Sequence, residues 1–200
     1  TGSSGFIGRN LIHHLKKNNH EFEELKLLPE KDNKLIINEA FLDKQLGNLK
    51  SSLNEFDSFI HLFWIDTNNW KSKNHLEFNL PLSKRIIKKV SSQGLKNITV
   101  LGTCLEYGLV EGSLNENQTE FPHTNYSLGK LKLLKELTEM SMKNKINLNW
   151  LRLFYVYGKD QPEDTIYGSL KKSIKNNKRS FDMSEGNQIR DYLEISKATE

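Results

Sequence analysis

Several features are scarce or missing in this sequence, and each absence excludes something. Among its 200 residues Cys104 is the only cysteine, so no internal disulfide can form, and a reducing, cytoplasmic setting is expected. No apolar run approaches the length of a membrane span, and no stretch is built like a signal peptide, so no membrane partner is expected. Internal repeats and low-complexity linkers are missing too. No metal-ligand set stands out. Nor does one sign of charge dominate: 29 basic residues against 25 acidic ones leave a net charge of +4. The excess is spread along helix faces, as at Lys84, Arg85, Lys88 and Lys89, which reads as a solvated surface rather than a nucleic-acid stripe. At 36% hydrophobic and 27% charged, the composition is that of an ordinary globular chain, long enough for one good-sized domain or one and a half.

One further absence shapes the fold expectation. The chain opens at Thr1, inside the glycine run Gly2-Ser3-Ser4-Gly5-Phe6-Ile7-Gly8. A phosphate-binding glycine turn follows a strand, and here no strand precedes it. The chain closes at Ala198-Thr199-Glu200, on what reads as a helix start. A fragment open at both ends is expected.

What is present alternates. Residues 5–18 read as a helix, with Ile7, Leu11 and Leu15 on one face. Short strands are predicted over 24–28 and 34–38, and a helix over 41–53. A buried strand is predicted over 58–63, a helix over 75–92 ended by Gly94, and a strand over 97–102. A polar loop over 105–124 leads to a helix over 125–143, a strand over 148–154 and a helix over 165–176. Extended pieces follow near Phe181 and Ile189. Strands alternating with helices predict an α/β fold: a doubly wound, parallel, Rossmann-type sheet lacking its first strand. Residues 1–160 would form the dinucleotide-binding domain, and 161–200 the start of a small substrate-binding region.

Three stretches carry chemistry. In the first, Gly2 allows a tight turn, Gly5 lets backbone approach a pyrophosphate, and Gly8 lets a helix pack on the sheet. The helix start adds unpaired N–H groups and a positive dipole end. Thr-Gly-Ser-Ser-Gly could also be a linker, but Phe6, Ile7 and the amphipathic helix behind them favour the binding turn. The second stretch, Gly102-Thr103-Cys104-Leu105-Glu106-Tyr107-Gly108, puts the Thr103 hydroxyl at the carboxyl end of a strand, where such sheets bind ligands. It could donate to a carbonyl oxygen as charge develops, or simply cap backbone. In the third, Asn125-Tyr126-Ser127-Leu128-Gly129-Lys130, Tyr126 and Lys130 are four apart on one helical face. The Lys130 ammonium is expected to lower the Tyr126 pKa from about 10, so that the phenol can pass a proton near neutral pH. Alone, the same spacing describes two exposed residues one turn apart.

Taken together and in order, the three stretches resemble the extended short-chain dehydrogenase/reductase family, the NAD-dependent epimerases and dehydratases of nucleotide sugars. The resemblance covers nearly the whole chain. It implies NAD(P) as cofactor, held by Gly2, Gly5, Phe6, Ile7, Gly8, Leu62, Tyr126 and Lys130, and a catalytic set of Thr103, Tyr126 and Lys130. Glu30 and Lys31 argue in opposite directions on NAD against NADP. His61-Leu62-Phe63-Trp64 stands where the family usually has His-Leu-Ala-Ala. His61 is read as a core histidine with one satisfied nitrogen. Asn79 matches an asparagine that helps position the catalytic segment, or is an ordinary surface residue. Leu151-Arg152-Leu153-Phe154-Tyr155-Val156-Tyr157-Gly158 is similar to a family Arg-x-x-Asn-x-Tyr-Gly, with Tyr155 in place of Asn. Arg190, in Arg190-Asp191-Tyr192, resembles the arginine that grips the nucleotide diphosphate; Thr103 and Arg190 are the implied substrate contacts.

The resemblance also sorts reactions. Family 4,6-dehydratases carry Asp-Glu directly after the catalytic Thr, where this chain has Cys104 and Leu105, with Glu106 one place late. Members that epimerise C3 and C5 need a Cys and a His, where Leu105 and, beyond Gly158, Lys159 and Asp160 stand. The stretches around Thr103 and Phe181-Asp182-Met183-Ser184-Glu185-Gly186 look most like reductases of nucleotide-linked 4-keto-6-deoxyhexoses. A 4-epimerase is the alternative, and a non-catalytic NAD(P)-binding protein the alternative from another class. A homodimer through the helices over 75–92 and 125–143 is implied as well.

Overall fold

The computed structural model describes residues 1–27, 39–49 and 52–200. Its elements run α1 (Phe6–Lys17), α2 (Glu39–Gly47), β1 (Phe59–His61), α3 (Leu80–Ser92), β2 (Asn97–Thr103), α4 (Asn125–Asn144), β3 (Asn147–Leu153), β4 (Tyr155–Tyr157), α5 (Ile166–Lys175), β5 (Tyr192–Glu194) and α6 (Ile195–Ala198). The chain divides into two compact units: Thr1–Ser3 with Glu23–Leu153, and Ser4–Phe22 with Phe154–Glu200.

The first unit is a parallel α/β layer structure of Rossmann type, as the alternating pattern predicts. β1, β2 and β3 pair in that order, all parallel. The register sets Phe59 against Ile98, Asn97 against Asn147, and Thr103 against Leu153. Parallel neighbours need a crossover, and α3 and α4 supply the two. Beside β1, the Thr1 N–H group donates to the Ile60 carbonyl (2.8 Å) and the Leu62 N–H to the Thr1 carbonyl (3.3 Å), bonds of the kind a parallel neighbour makes.

The core follows from periodicity. On α3, Leu82, Ile86, Ile87 and Val90 recur at helical spacing and are buried in one core with Ile98 and Val100 of β2, Leu133 and Leu137 of α4 and Leu42 of α2. Pro81 sits in the first turn of α3, directly after the π turn of His75–Asn79. The helix predicted over 75–92 opens differently from expectation: His75–Asn79 form a wide π turn before α3 begins. The strand predicted over 24–28 is not formed over 24–27. Leu25 and Leu27 are buried in alternation, but the segment has no ladder partner among the described residues. Residue 28, the strand predicted over 34–38, and Glu30 and Lys31 lie outside the described residues. The helix predicted over 41–53 ends at Gly47, and a separate 3-10 turn spans Leu53–Glu55.

In the second unit β4 and β5 pair in parallel, Tyr155 against Tyr192 and Tyr157 against Glu194. The extended piece expected near Ile189 falls slightly later, in β5, and the one near Phe181 forms no strand. Thr165 caps α5 by accepting from the Gly168 N–H (3.1 Å). α1 is tied to the turn after β4: Arg9 donates to the Asp160 carbonyl and Asn10 to the Lys159 carbonyl, each at 3.1 Å.

Candidate active site

The carboxyl end of β2 and the first two turns of α4 bring three expected residues together. Thr103 is the last residue of β2 and is buried. Tyr126 and Lys130 follow the N-terminus of α4, where Thr124 accepts from the Ser127 N–H (3.1 Å) and fixes the first turn. The Thr103 side chain lies beside the Tyr126 phenol and is the neighbour that favours its ionised form.

Lys130 corrects an expectation. Its ammonium donates to the Leu101 carbonyl (2.7 Å) and lies 4.0 Å from the centre of the Trp64 ring, over its face. It is 3% exposed. Burial brings its pKa down to about 7, against the opposing attraction of Glu106. The Tyr126 phenol is not lowered by Lys130 but pushed up to about 12. Burial is the main cause, the neighbouring Thr103 side chain opposes it, and the Glu106 charge adds to it. The helical spacing brings Lys130 to the right region, and a backbone carbonyl and an indole face then take its charge.

Trp64 and Phe63 fill the positions where small residues are usual, and both are buried. The Trp64 indole N–H donates to His75 Nδ1 (2.9 Å), and His75 Nε2 meets the Asn69 carbonyl (2.9 Å), so the ring carries its proton on Nε2. The His75 and Tyr126 ring centres are 5.2 Å apart, those of Trp64 and Tyr126 6.3 Å in an edge-on arrangement. Gly129 permits this: a Cβ there would stand 2.9 Å from the His75 carbonyl oxygen and 3.3 Å from Trp64 Cζ2. Asn79 is no surface residue. It is 1% exposed, and its amide both accepts from and donates to the backbone of Ile65 at 3.0 Å, fixing the chain just after Trp64. His61 is a core histidine, with both nitrogens satisfied rather than one: Nδ1 by Thr1 Oγ1 and Nε2 by Ser83 Oγ, each at 2.9 Å. Burial first, and the nearby Lys130 charge, hold it well below the usual imidazole range, hence neutral.

Glu106 was not singled out from sequence as part of the site. It is completely buried. Oε1 accepts from the Thr103 N–H (2.8 Å), while Oε2 accepts from Trp150 Nε1 (3.1 Å) and Arg152 Nε (2.7 Å). Arg152 also reaches Glu120 (2.7 Å) and the Tyr107 hydroxyl (3.2 Å). Burial alone would lower the Arg152 pKa; the bonds to Glu106 and Tyr107 outweigh it and hold the guanidinium above its ordinary range.

The remaining expected residues are placed separately. Gly2 (φ +75°) lies against β1's end, where a Cβ would stand 2.7 Å from the Leu62 carbonyl carbon and the Phe63 nitrogen. Gly5 caps α1, Phe6 and Ile7 open it, and Gly8 is its buried residue. No side chain caps that end, and no acidic residue stands in the first turn. Its N–H groups therefore suit an anion such as a pyrophosphate. Arg190, in the second unit, makes no ion pair with Asp191 or Glu194. It donates to Gln188 Oε1 (3.0 Å), and its guanidinium carbon lies 5.2 Å from the Tyr155 ring centre. Among the described residues no cluster of His, Cys, Asp or Glu is placed to hold a metal, and no helix is long and apolar enough to cross a membrane.

The model of the NAD dependent epimerase/dehydratase family matches residues 1–198, and the chain belongs to that family of NAD-dependent enzymes. Among its relatives is the dTDP-6-deoxy-L-talose 4-dehydrogenase (NAD(+)) of Aggregatibacter actinomycetemcomitans, 23% identical over 98% of this chain and 74% of that protein. A second, described as an uncharacterized UDP-glucose epimerase of Bacillus subtilis, is 28% identical over 98% of this chain and 68% of its own length. In fold, the UDP-N-acetylglucosamine 4-epimerase of Bacillus cereus superposes with a TM-score of 0.80 at 18% identity, covering 99% of this chain and 67% of that one.

Proposed function

We propose that the protein is an NAD(P)-dependent nucleotide-sugar oxidoreductase that reduces the C4 ketone of a nucleotide-linked 4-keto-6-deoxyhexose. The observation that carries this reading is a buried phenol beside Thr103 at the carboxyl end of β2, held protonated through the neutral range. A neutral phenol is a proton donor, and Thr103 is placed to share the same oxygen. As hydride reaches the ketone carbon, Tyr126 would give its proton to the developing alkoxide while the Thr103 hydroxyl donates to it. NAD(P)H would supply that hydride when bound. Gly2, Gly5, Phe6, Ile7 and Gly8 would hold the dinucleotide's pyrophosphate, and Leu62, Tyr126 and Lys130 its nicotinamide end. Residues 161–200 would begin the substrate-binding region, with Arg190 on the nucleotide diphosphate. No acid follows Thr103 directly, so a reaction without water elimination fits best. The relative that acts at position 4 of a dTDP-6-deoxy sugar supports the choice. A cytoplasmic homodimer built on α3 and α4, with no nucleic-acid or membrane partner, belongs to the same proposal.

A 4-epimerase is the second reading, supported by the epimerase relative and the epimerase structure. Incubation with a dTDP-4-keto-6-deoxyhexose and NADPH or NADH separates the two. The reductase consumes reduced cofactor in step with product, and Tyr126→Phe lowers its rate by about 10²-fold or more while cofactor binding persists. No loss of reduced cofactor, with UDP-glucose and UDP-galactose interconverted instead, overturns the choice in favour of the epimerase. Cofactor binding with no turnover of any nucleotide sugar points to a non-catalytic binding protein.

A further inference from the structure

The sequence motif around Thr103 contains a charged residue that the proposed chemistry does not use. Glu106 lies three residues after Thr103, on a 3-10 turn, and is fully buried at the edge where Thr103 and Tyr126 meet. A buried carboxylate is costly unless it is paired and hydrogen-bonded. Here the chain has provided for it at several points. Gly102 leaves room: a Cβ there would overlap Trp150 Nε1 and lie 2.7 Å from Glu106 Oε1. Arg152, opposite Gly102 in the β2–β3 register, supplies the countercharge. The two oxygens are divided between tasks, Oε1 for the Thr103 N–H and Oε2 for Trp150 and Arg152. The Thr103 hydroxyl in turn accepts from the Glu106 N–H, closing a reciprocal box between the two residues, and also from the Leu105 N–H (3.3 Å).

We infer that Glu106 is a positioning residue: its carboxylate, clamped by Arg152 and Trp150, fixes Thr103 by its backbone so that the threonine hydroxyl meets the Tyr126 phenol. It acts through Thr103 and touches no substrate. Its charge also faces the reacting groups, raising the pKa of Tyr126 and of Lys130. The charged and titratable groups around this network are Arg152 on β3, Cys104 on the 3-10 turn, Glu120 and Tyr107 on the loop after β2, Tyr126 and Lys130 on α4, and, facing these two, His75 and the neutral His61. The catalytic part of this inference rests on the reductase reading; the geometric part does not.

The test is a double-mutant cycle between Glu106→Gln and Thr103→Ala, read in two ways. In turnover, Glu106→Gln should lower kcat about tenfold or more with KM little changed, and should cost far less when Thr103 is already Ala. Equal losses in both backgrounds, or no loss, overturn the inference, because a merely structural role would not depend on the Thr103 hydroxyl. The second readout needs no substrate: tyrosinate absorbance raised to about pH 11, taken as the difference from the matching Tyr126→Phe protein. Tyr126 should stay neutral in the parent and begin to ionise in Glu106→Gln. An unchanged titration overturns the inference even if no substrate is found. Thermal melts set a temperature at which all variants are folded. If Glu106→Gln does not fold, Trp150→Phe removes one donor to the same carboxylate and carries the same cycle, with a severalfold loss expected only when Thr103 is present.

Discussion

Tyr126 and Lys130 have neighbours of two kinds. On one flank stands Thr103 with Glu106, Arg152 and Glu120, charges of which Glu106 is fully buried and each of which is matched by a partner. On the other stand Trp64, His75 and Asn79, aromatic or neutral, tied together by an indole-to-imidazole hydrogen bond and a side-chain amide on the Ile65 backbone. The first flank acts by Coulomb interaction and by holding Thr103. The second acts by excluding water. The Tyr126 phenol feels both: burial is the largest cause of its upward shift, and the Glu106 charge adds to it. For Lys130 the two oppose each other, since burial disfavours the ammonium and Glu106 favours it. Desolvation therefore governs both groups, and the charged flank sets the balance around it.

Removing a partner from each flank should show how differently they are built. Arg152→Ala leaves Glu106 buried without its cation and should be the larger loss, about 4 kcal/mol of stability by denaturant unfolding. A loss below about 1 kcal/mol would mean that water or Trp150 alone can satisfy the carboxylate. Trp64→Ala removes packing and the seat of the Lys130 ammonium and should cost about 3 kcal/mol, whereas Trp64→Phe keeps a ring face and should cost about 1 kcal/mol. If the two Trp64 variants lose the same stability, the ring face contributes nothing to holding Lys130.

The parts legible in the sequence are those in which chemistry or periodicity fixes residue type at fixed spacing. Ile86, Ile87 and Val90 announce α3 because a helix buries one stripe. Thr103 and Tyr126 can be picked out because a strand-end hydroxyl and a helix-borne phenol make sense only together. The sign of the Tyr126 shift was not legible. The spacing to Lys130 is visible along one helix, but the burial of both groups, the Leu101 carbonyl and the Trp64 face come from other elements. Glu106 left a partial signal, since Thr-x-x-Glu has the spacing of a capping box. Its partner Arg152 lies 46 residues away and meets it only through the β2–β3 register. Asn79 and His75 looked like polar residues on a helix, and only the π turn that carries them inward reveals what they hold.

The remaining expected effect concerns pH, and it tests the comparison most directly. Lys130 has a folded-state pKa of about 7, below the 10.5 of the unfolded chain. Below pH 7 both states bind the proton, and the folded state bears the full cost of a buried ammonium. Between about pH 7 and 10 the unfolded chain still holds the proton while the folded one releases it, so stability rises with pH. Over pH 7 to 9 the rise should be of the order of 2 kcal/mol, before tyrosine ionisation in the unfolded state begins to oppose it. Lys130→Met should remove the part of that rise due to Lys130, leaving the smaller part due to the buried Thr1 ammonium, and should be the more stable protein at pH 7, because it fills the same space without the charge. Denaturant midpoints for both proteins across this range provide the measurement. A parent protein whose stability runs parallel to the variant's from pH 7 to 9 would show that the Leu101 carbonyl, the Trp64 face and Glu106 together fully offset desolvation. Direct contacts with the ammonium, not its desolvation, would then govern Lys130.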